Sequence, residues 1–103
     1  MPVLPIRKRL WGILEMTDDN RRRALRFRSW HRGTREMDLL MGSFADAQLD
    51  GFTPAQLDRY EQILNLSDPD VYDWVAGVKP VPAEQDDTVM RLLCAHHYAK
   101  KQD

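Results

Sequence analysis

Cysteine is almost absent from these 103 residues, with Cys94 standing alone. One cysteine builds no intramolecular disulfide framework and no multi-cysteine zinc site, and it fits a reducing compartment. Glycine is scarce, at five residues, and none of them forms a Gly-rich phosphate loop. No stretch approaches the ~20 apolar residues that a membrane-spanning helix needs. Alternation of β-branched residues with period two is missing, so strands are not expected. There is no Gly-x-Ser-x-Gly elbow and no pair of catalytic carboxylates with a pocket signature. An enzyme is therefore not expected.

What is present is an uneven charge. The formal net charge is −1, yet residues 1–35 carry ten Lys/Arg against three acids, and residues 36–103 carry five against thirteen. Such a split suggests a basic region facing a partner or an internally complementary fold. At the N-terminus, Arg7-Lys8-Arg9 precedes Leu10-Trp11-Gly12-Ile13-Leu14, and Glu15 cuts that run short of a secretory core. Residues 1–17 read as a flexible leader, helped by Pro2 and Pro5. They are short and poor in serine for a transit peptide, which favours a bacterial cytoplasm over a mitochondrial matrix.

The remainder reads as one domain over residues 18–99 with a short tail, 100–103. Thr17 or Asp18 caps a first helix running to about His31, with Ala24, Leu25, Phe27 and Trp30 as its apolar positions and arginines elsewhere. Gly33 ends it, as a residue in the left-handed region does. Thr34 caps a second helix, where Met37, Leu40, Met41 and Phe44 fall at i, i+3, i+4 and i+7. Asp50-Gly51 is a turn. Thr53-Pro54 opens a third helix with Leu57, Tyr60, Ile63 and Leu64 inward. Ser67-Asp68-Pro69 opens a fourth, burying Val71, Trp74 and Val75 and closing at Gly77. A fifth is expected from Glu84 to about Ala99, with Val89, Leu92, Leu93 and His96 on one face. The fold class is all-α, a compact five-helix bundle.

Little chemistry is visible. His96 and His97 are adjacent, so they point about 100° apart on a helix and cannot share an ion. No metal site is expected. Cys94 lacks an adjacent base and reads as an inert thiol. The basic first helix is the strongest signal, and the residues leave it open. It is either a solvated face paired with acids on later helices or a binding surface, a nucleic-acid or general protein-interaction module among the alternatives. A sequence pI of 6.3 and an acidic, apolar second helix count against phosphate binding.

Between the two helices lies the corner Arg32-Gly33-Thr34-Arg35-Glu36. Gly33 permits a sharp turn and close approach by another surface, and Arg32 with Glu36 is expected as an exposed polar pair. Arg28-Ser29-Trp30-His31-Arg32-Gly33-Thr34-Arg35-Glu36-Met37-Asp38 resembles the Arg-Gly-x-x-Glu signature of the succinate dehydrogenase assembly factor 2 family, also called SdhE, the flavinylation factors. The likeness extends through Leu57-x-x-Tyr60-x-x-Ile63-Leu64, Asp68-Pro69-Asp70-Val71-Tyr72-Asp73-Trp74-Val75 and Val89-Met90-Arg91-Leu92-Leu93, over about residues 21–97. His31 and Thr34 stand where the family often has arginine and methionine.

The resemblance implies an assembly factor rather than an enzyme. Such a factor binds the flavoprotein subunit of succinate dehydrogenase, and sometimes of fumarate reductase, and promotes covalent attachment of that partner's FAD. It implies Arg32, Gly33, Glu36 and Asp38 as the flavoprotein-binding residues, with Arg28 and Arg35 as a supporting basic surface. No cofactor is expected to be held tightly by the chain itself. A monomer is expected, without nucleic acid or membrane among its partners.

Overall fold

The computed structural model describes residues 18–96. The expected leader, tail and final stretch of the last helix, residues 97–99, lie outside them. Among the described residues five α-helices follow in order: α1 (Asp18–Trp30), α2 (Arg35–Gln48), α3 (Pro54–Leu64), α4 (Asp68–Ala76) and α5 (Thr88–Ala95). Short 3-10 turns occupy Leu49–Gly51 and Ala83–Gln85, and there is no strand among the described residues. The all-α bundle is thus as the sequence indicates.

The helix starts follow from their caps. Thr34 Oγ1 accepts from Met37 N at 3.2 Å. Thr53 and Gln56 form a reciprocal capping box, at 3.2 and 2.8 Å, with Pro54 following as the first helical residue. The fifth helix is shorter than the expected Glu84 to about Ala99: it ends at Ala95, with His96 already extended, and its start differs as well. Asp86 is extended, and the Asp87 side chain accepts from Met90 N at 2.9 Å, so the helix opens at Thr88. An Asp side chain that satisfies a free backbone amide outcompetes continuation of the preceding turn.

The core is assembled mainly from α2 and α3. Leu40, Phe44, Leu57 and Tyr60 are fully buried, with Val71, Met90 and Leu93 closing the far side. α1 packs chiefly along α2 and crosses α3, while α5 bridges α3 and α4. On α1 the expected inward face is partly wrong. Leu25 is buried, but Ala24 is exposed and Phe27 is 63% exposed. The inward position is taken by Ser29, whose hydroxyl donates to Leu25 O at 2.7 Å and lies 2.7 Å from the Tyr60 hydroxyl. A small polar residue is tolerated there because its hydroxyl is satisfied. Trp30 lies flat on Gly42: a Cβ there would stand 2.1 Å from the indole ring.

Candidate functional site

The α1–α2 corner is built from backbone outward. α1 stops at Trp30, and Gly33 adopts φ 112°, a conformation that disfavours side-chain-bearing residues. A Cβ on Gly33 would meet no atom of the described residues within 4 Å. The glycine is therefore required by the turn itself and leaves open space above it. Asp38, in the first turns of α2, reaches back beneath the corner. Its Oδ1 accepts from Arg32 N at 2.5 Å and from Gly33 N at 3.3 Å.

The six predicted residues divide sharply. Arg32 turns inward. Its Nη2 donates to Leu64 O at 2.7 Å and to Asp68 Oδ1 at 2.7 Å, tying the corner to the end of α3 and the start of α4. Its side chain is only 14% exposed. The expected Arg32–Glu36 pair does not form, because Asp68 and a helix-end carbonyl capture the guanidinium. Arg28 is likewise engaged, donating to Asn65 Oδ1 at 2.7 Å. Arg35 and Glu36 are exposed, and neither makes a side-chain hydrogen bond or ion pair among the described residues. The corner thus presents one free charge of each sign beside a bare glycine, above a brace of Asp38, Arg32 and Asp68.

Shallow depressions flank this ridge and share Thr34. One is lined by Trp30, His31, Gly33, Arg35, Asp38 and Leu39. The other, between the start of α2 and α4, is lined by Glu36, Met37, Asp68, Pro69, Tyr72 and Asp73. Asp68, Tyr72 and Asp73 were not assigned to the site from sequence. They lie more than thirty residues from Arg32, and their only sequence signal is the Asp68–Val75 run.

The basic face of α1 serves the fold. Arg21 pairs with Asp58 and with Glu61, the latter at 3.0 Å. Arg22 donates to the carbonyls of Leu49 and Phe52 at 2.6 and 2.7 Å. Arg26 reaches Asp46 at 3.1 Å and Asp50 at 3.2 Å. The reading of an arginine face paired with acids is the one realised, and the nucleic-acid alternative loses its main support. His31 stacks on Phe27 with centroids 4.0 Å apart, and its Nδ1 lies 2.7 Å from Phe27 O. His96 Nε2 lies 2.9 Å from Ser43 Oγ. Among the described residues no group of three or more His, Cys, Asp or Glu is placed to hold a metal ion. Burial pushes the Cys94 thiol up, with the Asp86 carboxylate adding to it, so the sulfur stays protonated and a poor nucleophile.

The family profile described as the flavinator of succinate dehydrogenase matches residues 23–97. An Acetobacter pasteurianus protein named FAD assembly factor SdhE is 41% identical over 82 residues, covering 80% of this chain and 75% of that one. Succinate dehydrogenase assembly factor 2-B, mitochondrial, of Drosophila ananassae is 42% identical over 80 residues, covering 76% of this chain and 49% of that one. The Dictyostelium discoideum mitochondrial assembly factor 2 is 38% identical over 76 residues, covering 74% and 53%. The chain thus spans about half the length of these mitochondrial relatives. The relatives are named as assembly factors, not as catalysts, and they come from bacteria and mitochondria. No solved structure matches. No helix among the described residues is long and apolar enough to cross a membrane. With its profile match running from α1 past α5 and the Arg-Gly-x-x-Glu corner inside it, the chain belongs to the family of flavinators of succinate dehydrogenase.

Proposed function

We propose that this protein binds the flavoprotein subunit of succinate dehydrogenase through the Gly33 corner and promotes covalent attachment of FAD to that subunit. The observation that carries the proposal is the corner's construction: a glycine at φ 112° with no atom of the described residues within 4 Å of its missing Cβ, braced from beneath by Asp38. Such a ridge can enter a cleft without a side-chain clash. Arg35 and Glu36 then supply charged hydrogen bonds at the interface, each worth ~1.5–3 kcal/mol once desolvated. Arg32 and Asp38 act from within, holding the ridge in shape. The flavin stays with the partner, and the factor acts by favouring the conformation in which flavin and its attachment residue meet. The protein works as a monomer in the bacterial cytoplasm, or in the mitochondrial matrix in a eukaryote.

The test is co-expression with the flavoprotein subunit and in-gel flavin fluorescence of the denatured subunit. Gly33→Arg fills the open space and abolishes covalent flavin. Gly33→Ala shares the backbone strain, ~1–2 kcal/mol, without the bulk, and retains more. Undiminished covalent flavin with both Gly33→Arg and Glu36→Ala would overturn the role given to the corner.

A further inference from the structure

The depression between the start of α2 and α4 carries a chemistry that the corner alone does not. We propose that it receives an arginine side chain of the flavoprotein partner, laid over the Tyr72 ring among Glu36, Asp68 and Asp73. This rests on the function proposed above and extends its interface to α4.

Among the described residues, three carboxylates line the groove, and no lysine or arginine does. Asp68 gives one oxygen to Arg32 on the inner side. Asp73 is 3.6 Å from Lys79, whose side chain is 62% exposed, a contact that solvent makes weak. Glu36 has no partner among the described residues. The groove therefore holds negative charge that the fold does not neutralise, and an anionic occupant is repelled.

Apart from Thr34, the rest of the lining is mainly apolar. Met37 and Pro69 form it together with Tyr72, which is half-buried and whose hydroxyl makes no hydrogen bond among the described residues. An aromatic face bordered by carboxylates suits a cation carried on an aliphatic stem. Guanidinium suits it better than ammonium, being planar, weakly hydrated and able to stack while bonding a carboxylate. Across Thr34 the ridge shows the opposite sign, with Arg35 exposed and unpaired. A partner that matches both sides can dock in one orientation only.

The experiment is equilibrium binding of the full chain to the isolated flavoprotein subunit at low and moderate salt, with thermal melts of every variant. Tyr72→Leu keeps apolar bulk but removes the ring, and weakens binding roughly 3- to 30-fold. Tyr72→Phe keeps the ring and binds like the wild type. Asp73→Asn weakens binding and flattens its salt dependence. It also decides the matter should Tyr72→Leu fail to fold. Wild-type affinity in Tyr72→Leu, or an unchanged salt slope in Asp73→Asn, overturns the proposal. A carbodiimide cross-link from Asp73 or Glu36 to a partner lysine assigns the groove to an ammonium and overturns the arginine. Failure of the wild type to bind the subunit at all instead overturns the functional reading beneath it.

Discussion

Asp38 Oδ1 lies 2.5 Å from the backbone nitrogen of Arg32, six residues earlier and across the helix junction. The same oxygen takes the Gly33 amide at 3.3 Å. One carboxylate thereby satisfies successive backbone donors that the end of α1 leaves without helical partners. It also lies in the first turns of α2, where negative charge is favoured. Asp38 thus shapes the corner through its bonds to these two amides.

Asp38→Ala leaves those amides without their acceptor and should cost about 1–2 kcal/mol of stability. Asp38→Asn keeps an acceptor oxygen and recovers most of it. Urea unfolding measures the difference, and covalent flavin should fall in the same order. Glu36→Ala is the contrast: the side chain is exposed and unpaired, so stability stays within about 0.5 kcal/mol while flavin attachment drops. Equal stability loss in Asp38→Ala and Glu36→Ala would contradict this division.

Gly42 is a second relationship of the same kind. Its missing Cβ would stand 2.1 Å from the Trp30 ring, so Gly42→Ala must push the indole off α2. Alanine favours a helix interior over glycine by ~1 kcal/mol, yet the clash should outweigh that gain and leave a net loss of about 1–3 kcal/mol. A lowered melting temperature together with changed Trp fluorescence checks it. Stabilisation by Gly42→Ala would show that the indole can relocate freely.

The Tyr60 phenol has a pH signature. Burial holds its proton affinity well above the ordinary tyrosine range, partly offset by the Ser29 hydrogen bond and by Arg32 and Arg28. Below about pH 10 both folded and unfolded states keep the proton, and the full stability is present. As the pH rises further, the unfolded chain ionises first, so stability falls by up to ~1.4 kcal/mol per pH unit from this group. Tyr60→Phe should cost about 1 kcal/mol at neutral pH and show a shallower alkaline decline. Parallel alkaline curves for the two proteins, measured by urea unfolding, would exclude Tyr60 as the titrating group.

Much of the fold was legible because caps and stripes are local. Thr34 before Met37, Leu40, Met41 and Phe44 reads as a capped helix from its spacing, and it is one. Thr53-Pro54 was equally plain; Ser67-Asp68-Pro69 marked the start of α4, although Ser67 makes no side-chain cap bond there. Local pattern failed where a distant residue decided the outcome. Ser29 is inside because Tyr60 waits for it from α3, and Phe27 is outside although it is the more apolar. At the corner, the motif spacing singled out Arg32 and Glu36, but spacing cannot reveal that Asp68 takes Arg32 from 36 residues away. The i, i+4 positions of Arg32 and Glu36 suggested an exposed polar pair. The structure leaves Glu36 free to meet a partner and turns Arg32 into a strut.

The arginines of α1 invite the view that they steer docking, and their partners argue otherwise. Arg21 is 16% exposed and held between Asp58 and Glu61 of α3, where the Asp58 hydrogen bond raises its proton affinity further. Arg22 clamps the carbonyls of Leu49 and Phe52. Removing the Arg22 head group strands carbonyls of another element, at a cost of about 1–2 kcal/mol, whereas the carboxylates that Arg21 holds are 65% and 43% exposed and their loss costs up to about 1 kcal/mol. Arg23, by contrast, is exposed and among the described residues bonds only Asn20, within its own helix. Arg21→Gln and Arg22→Gln should therefore lower the urea midpoint, whereas Arg23→Gln leaves it unchanged. Association rates with the flavoprotein, measured on folded protein, should change little in Arg21→Gln and Arg22→Gln. A several-fold slower association with an unaltered urea midpoint would restore the steering role to this helix.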